Sequence, residues 1–149
     1  MKQVRSLALL SGLLPVTLCA LEETPLQGKA ERWRGCYYYA TEMGKPGAGT
    51  RFYADLTFYD TTFEGLVYED SFIDGQEGQR LMSAVMGMSY NGMVSFSKGY
   101  DPESGQKHFI MYLGSLNADA SAISGAWTIP QSTNFGAFIM TQQDYPCAG

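Results

Sequence analysis

The chain predicts an all-β fold, a single eight-stranded up-and-down antiparallel barrel, with an open β-sandwich as the alternative architecture. Three observations predict it. Apolar residues recur at every second position through short segments bounded by turn residues, which is the strand signature. Turn signals separate consecutive segments, and no segment between them has a convincing helical period. Finally, the form X-x-Gly-x-aromatic recurs, as in Trp33-x-Gly35-x-Tyr37, Ile123-x-Gly125-x-Trp127 and Asn134-x-Gly136-x-Phe138. Glycine weakens a flat strand, and a small closed barrel needs bends or close approaches on strand after strand.

The first twenty residues read as a secretory signal peptide. Lys2 and Arg5 form a positive n-region, Leu7 to Leu18 an apolar core, and Ala20 a small residue at the cleavage position. The apolar run is short for a membrane span, so no transmembrane segment is expected in the mature chain. Cys19 raises lipid anchoring as a second possibility, but Leu18 is larger than a lipoprotein signal wants before its cysteine. An exported protein, periplasmic or extracellular, is the expectation.

Residues 21–32 are polar, carry Pro25 and Gly28, and show no period; they read as a flexible leader before a barrel domain over 33–149. The predicted strands are 33–41, 51–59, 62–69, 81–90, 93–100 and 107–116, followed by two inside Ala122–Met140. In the fourth, the run of Met and Ala is also compatible with a helix. Asn91-Gly92 is a strong hairpin turn, because both residue types accept positive φ. Connections after strands two, four and six are tight. Those after strands one, three, five and seven are longer, and the third includes a polar loop over 70–79. In a meander alternate connections share an end, so the long loops gather at one mouth.

Without residues 1–20, eight basic side chains face fifteen acidic ones, a formal charge of −7 with His108 neutral. Such a chain repels phosphate backbones, and nucleic acid is excluded as a partner. Cys36 lies in the first predicted strand and Cys147 just past the last. Those strands are neighbours in a closed barrel, so a disulfide between them would staple the seam in an oxidising compartment.

Catalytic chemistry is sparse. His108 is the single histidine, and no Gly-x-Ser-x-Gly elbow or glycine-rich phosphate loop occurs. A zinc site needs clustered His and Cys, and none remains once the two cysteines are bonded. No enzymatic activity, cofactor or metal is expected. Strand parity instead puts Phe63, Val67, Phe96, Ile110 and Tyr112 inside. Tyr39, Glu69, Lys98, Tyr100, His108 and Trp127 then point inward near the mouth as a candidate ligand-binding set. An aromatic cup with a few polar groups is the usual form of a small-molecule site. Filling of a dry core by the same side chains is the structural alternative.

The layout resembles the calycin-like barrels: lipocalins, fatty-acid-binding proteins and avidins. Ile123-x-Gly125-x-Trp127 is similar to the Gly-x-Trp elements of avidins. The succession Trp33–Tyr37, Phe96–Tyr100, Tyr112–Gly114, Ile123–Trp127 and Gly136–Phe138 resembles that of uncharacterised exported bacterial barrel proteins. The resemblance implies a lipocalin-like protein that binds a small amphiphilic ligand at the barrel mouth. The biotin-contacting residues of avidins do not map onto this chain, so biotin is not implied. An envelope inhibitor or interaction module, presenting its long loops to an envelope protein, is the alternative of a different class.

Overall fold

The computed structural model describes residues 27–73 and 76–147. The signal peptide, Cys19 and the beginning of the leader lie outside them. Eight antiparallel strands form a closed barrel: β1 (Lys29–Tyr39), β2 (Thr50–Phe58), β3 (Thr62–Ile73), β4 (Gln76–Tyr90), β5 (Met93–Tyr100), β6 (Phe109–Leu116), β7 (Ala122–Thr128) and β8 (Phe135–Thr141). Each strand pairs with its sequence neighbours, and β1 pairs with β8 to close the ring. This removes the sheet edges that the sandwich alternative would have left. One 3-10 turn, Pro102–Ser104, lies between β5 and β6, with Asp101 capping it through a bond accepted from the Glu103 amide.

Three boundaries differ from the sequence expectation. β1 begins at Lys29 rather than Trp33, because Lys29–Arg32 pair with Asp55–Phe58 of β2. The expected loop over 70–79 is mostly a hairpin: β3 runs to Ile73, β4 starts at Gln76, and Asp70 pairs with Arg80. Residues 70–79 are mostly polar with two glycines and lack the apolar alternation that marks a strand. β6 starts at Phe109, which leaves Lys107 and His108 in the preceding loop. The Met-rich part of β4 is strand, with Val85 buried and Met86 exposed.

Turn chemistry agrees with the backbone. Asn91 and Gly92 have φ of 50° and 75°, and Tyr90 pairs with Met93 across them. In the β6–β7 turn the Asn117 side chain accepts bonds from the Ser121 and Ala122 amides.

Antiparallel register explains the repeated glycines. Gly35 lies opposite Phe52, Gly136 opposite Trp127, and Gly125 opposite Phe138. A Cβ at Gly35 would sit 2.2 Å from the Phe52 ring. One at Gly136 would sit 1.7 Å from the Tyr38 carbonyl oxygen and 2.8 Å from the Trp127 indole nitrogen. Pairing the smallest residue with a large one lets rings cross a narrow interior. Phe96 stacks on Tyr112 at 4.4 Å between centroids, and Phe138 meets both edge-on. Trp33, Leu56, Phe63 and Met140 fill the half nearer the tight turns.

Cys36 and Cys147 form a disulfide, with Cα atoms 5.6 Å apart. Cys36 faces outward from β1 beside Ile139 of β8, so the bond ties the C-terminal tail across the seam.

Candidate functional site

The mouth end is built from the last residues of β1, β3 and β5 and the first of β6. Inward parity on β3 carries Phe63, Val67 and then Glu69; on β5 it carries Val94, Phe96 and then Lys98. Two charged residues thus continue two apolar stripes into the barrel. Lys98 Nζ donates to Glu69 Oε1 at 2.5 Å, and the two side chains are 3% and 2% exposed. Tyr37 donates its hydroxyl to Glu69 Oε2 at 3.0 Å. The ammonium also lies over two rings, 4.8 Å from the centroid of Tyr100 and 5.4 Å from that of Tyr37. Carboxylate, phenol and ring faces together replace the water that both charges lost, which is the condition for burying them.

The electrostatics follow from burial. Desolvation pushes the Lys98 ammonium below its ordinary pKa, and the Glu69 carboxylate opposes that shift. Burial, then the negative charge of Glu69, pushes the phenols of Tyr37, Tyr100 and Tyr112 well above the usual tyrosine range. All three are therefore neutral hydroxyls at physiological pH.

Above the pair sits an aromatic rim. Tyr39 meets Trp127 edge-on at 5.0 Å, and Tyr37 meets Trp127 at 6.1 Å. Trp127 is buried, and its indole N–H donates to the Tyr38 carbonyl. The His108 ring lies 5.5 Å from Tyr100. Of the six residues expected at the mouth, Glu69 and Lys98 are in contact, Tyr100 packs over them, and His108 covers Tyr100. Trp127 and Tyr39 form the opposite wall. Tyr37 and Tyr112 are further members that the sequence set left out. Tyr37 shares the parity of Tyr39, two residues on, and that signal would have found it.

The space among these residues is small. A cup of about 20 Å³ is lined by Tyr37, Tyr39, Tyr100, His108, Ile110 and Trp127, with Tyr112 and Ile129 below. Two further gaps of about 10 Å³ lie deeper, one beside Lys98 and one among Phe52, Leu56, Val85 and Met140. Each is about the size of one water, and the gap among Phe52, Leu56, Val85 and Met140 offers a water no polar partner. None of these gaps is a preformed chamber the size of a lipocalin ligand. A larger space of about 460 Å³ lies on the outer wall, across β3 to β6.

Among the described residues, no group of three or more His, Cys, Asp or Glu side chains converges as a metal site would require. No helix among them is long and apolar enough to cross a membrane. No family model matches the chain, and no curated protein matches it at a significant level.

Proposed function

We propose that the protein is an exported, non-enzymatic, lipocalin-like binding protein that receives the polar end of a small amphiphilic molecule at its mouth. The observation that supports this most is the segregation of chemistry inside the barrel. Away from the mouth the interior is packed aromatic and aliphatic side chains, while Tyr37, Tyr39, Tyr100 and His108 converge at the loop end. Lys98 and Glu69 neutralise each other, so the cup offers phenol and imidazole hydrogen bonds rather than net charge. A cup of about 20 Å³ accepts a water-sized group, such as a hydroxyl or the tip of an ester. The body of the ligand would then rest on Tyr39 and on Met43 of the first long loop, both exposed. Export is supported by the disulfide, which forms and persists in oxidising compartments.

Titration with short-chain and aromatic alcohols, followed by Trp127 fluorescence and melting temperature, tests the proposal. Binding should quench or shift the tryptophan emission and should weaken in Tyr39→Ala and His108→Ala. No thermal or spectral response to any amphiphile would overturn it. The alternative, an interaction module presenting its long loops to an envelope protein, draws support from Met43 in the first loop and from Tyr39, Phe109 and Phe135, exposed at the strand ends beside the loops.

A further inference from the structure

The outer wall of the barrel is divided in two. β1 to β3 present Arg32, Arg34, Arg51, Asp55 and Glu64 outward. From Met82 of β4 around to Thr141 of β8, no outward-facing strand residue carries a charge. The centre of this second wall is corrugated. Beyond Met93, β5 turns only Ser95, Ser97 and Gly99 outward. Met86 and Met88 rise on its β4 side, and Met111 and Leu113 on its β6 side. Register places Met86 and Met111 on either side of Ser97, and Met88 and Leu113 on either side of Ser95. A space of about 460 Å³ runs from Tyr59, Thr62 and Glu64 on the β3 side, across Met86 and Met88, to Ser95, Ser97 and Met111. Met86, Met88 and Leu113 are each more than half exposed. Contiguous apolar surface of this kind marks an interaction site, and scattered single residues would not.

We propose that this wall is a homodimer interface, in which the β6 ridge of each copy seats in the β5 groove of the other. Three features select a second copy as the occupant. A ridge beside a groove of matching length is self-complementary, which is what a two-fold interface requires. The chain carries a formal charge of −5, and among the described residues the one charge bordering the groove is Glu64 at its β3 edge, which a two-fold contact between β5 and β6 keeps away from its counterpart. Two acidic copies therefore meet here without bringing like charges together. Area is the third feature. The four strands β4 to β7, about 4.8 Å apart and about 24 Å long, make a facing wall of roughly 450 Å². Two such walls give about 900 Å², the size of a weak, reversible interface. Asp101, Glu103 and Lys107 at the mouth end and Asp119 at the other supply the polar rim around an apolar centre. Methionine suits the contact because its flexible thioether fills irregular gaps.

Sedimentation velocity of the purified protein over about a hundredfold range of concentration tests the proposal. The expected result is a reversible monomer–dimer equilibrium that added salt does not weaken. Leu113→Glu, exposed and outside the mouth, should raise the dissociation constant at least about tenfold while keeping the strand circular dichroism. Ser97→Lys fills the groove floor and should do the same, so a folding defect in one variant leaves the other decisive. Arg51→Glu on the charged wall should leave association unchanged. A monomer at every concentration overturns the proposal, as does a dimer insensitive to both groove variants. Binding of the monomer to phosphatidylcholine vesicles would also overturn it and assign the wall to lipid.

Discussion

The Lys98 ammonium and the Glu69 carboxylate face each other across the inside of the barrel, 2.5 Å apart and closed off from solvent. Neither strand that carries them is an edge, and neither side chain has a route to the rim. The pair depends on both members being present, because a single buried charge has no water to fall back on.

Lys98→Met keeps the apolar stem and removes the charge. It leaves Glu69 with neutral hydroxyl partners such as Tyr37 and no opposite charge, and the expected cost is about 3–5 kcal/mol of unfolding free energy. The double variant Lys98→Met with Glu69→Leu should recover most of that loss. Urea denaturation of the single and double variants checks both. An unchanged midpoint for Lys98→Met would mean that Lys98 reaches solvent, and the inward parity of β5 would fail with it.

Alkaline pH should destabilise the fold. Tyr37, Tyr100 and Tyr112 keep their protons in the barrel, while the unfolded chain releases them above about pH 10. The folded state then binds more protons, so stability falls as pH rises, by up to about 1.4 kcal/mol per pH unit for each tyrosine. Lys98 acts oppositely: its lowered pKa adds stability with rising pH, but only up to the ordinary lysine value near 10.4. The decline should therefore dominate beyond about pH 10.5, and Tyr37→Phe should make it shallower. Stability that holds level to about pH 11.5 would contradict the burial of these hydroxyls.

Loss of the Cys36–Cys147 bond should lower stability without changing the fold. The bond closes a loop of sequence separation 111. The chain-entropy model gives about 4–5 kcal/mol for a loop of that size, with measured losses commonly about 2–5. Cys36→Ser with Cys147→Ser should keep its strand circular dichroism and melt earlier. Thiol titration of the unreduced protein should find no free thiol in residues 27–147.

Gly136→Ala should destabilise more than an ordinary strand substitution, by about 1–3 kcal/mol, since its methyl would meet the Tyr38 carbonyl and the Trp127 indole. Gly99→Ala is the control, because a Cβ there meets nothing within 4 Å. Equal effects at the two sites would argue against the β1–β8 closure.

Period-2 alternation, Asn91-Gly92 and the polar connections determined the strand count and order, since those signals are local and each strand has one buried face. The Cys36–Cys147 bond followed from that order, because closing a meander makes the first strand a neighbour of the last. The inward parity of Glu69 and Lys98 was legible for the same reason. Other features were decided only by the tertiary structure. The β3–β4 hairpin end has no apolar alternation over residues 70–79 to mark it in the sequence. Glycines could be seen to repeat, but that Gly35 faces Phe52 and Gly136 faces Trp127 depends on the register between strands. Whether the barrel would be hollow was likewise closed to the sequence. Interior volume is the sum of what all eight strands project inward, and here Phe96, Tyr112, Phe138 and Trp127 meet across the axis and leave about 20 Å³ at the mouth. The uncharged outer wall is collective in the same way, because Met86, Ser97 and Met111 become neighbours only when three strands come into register.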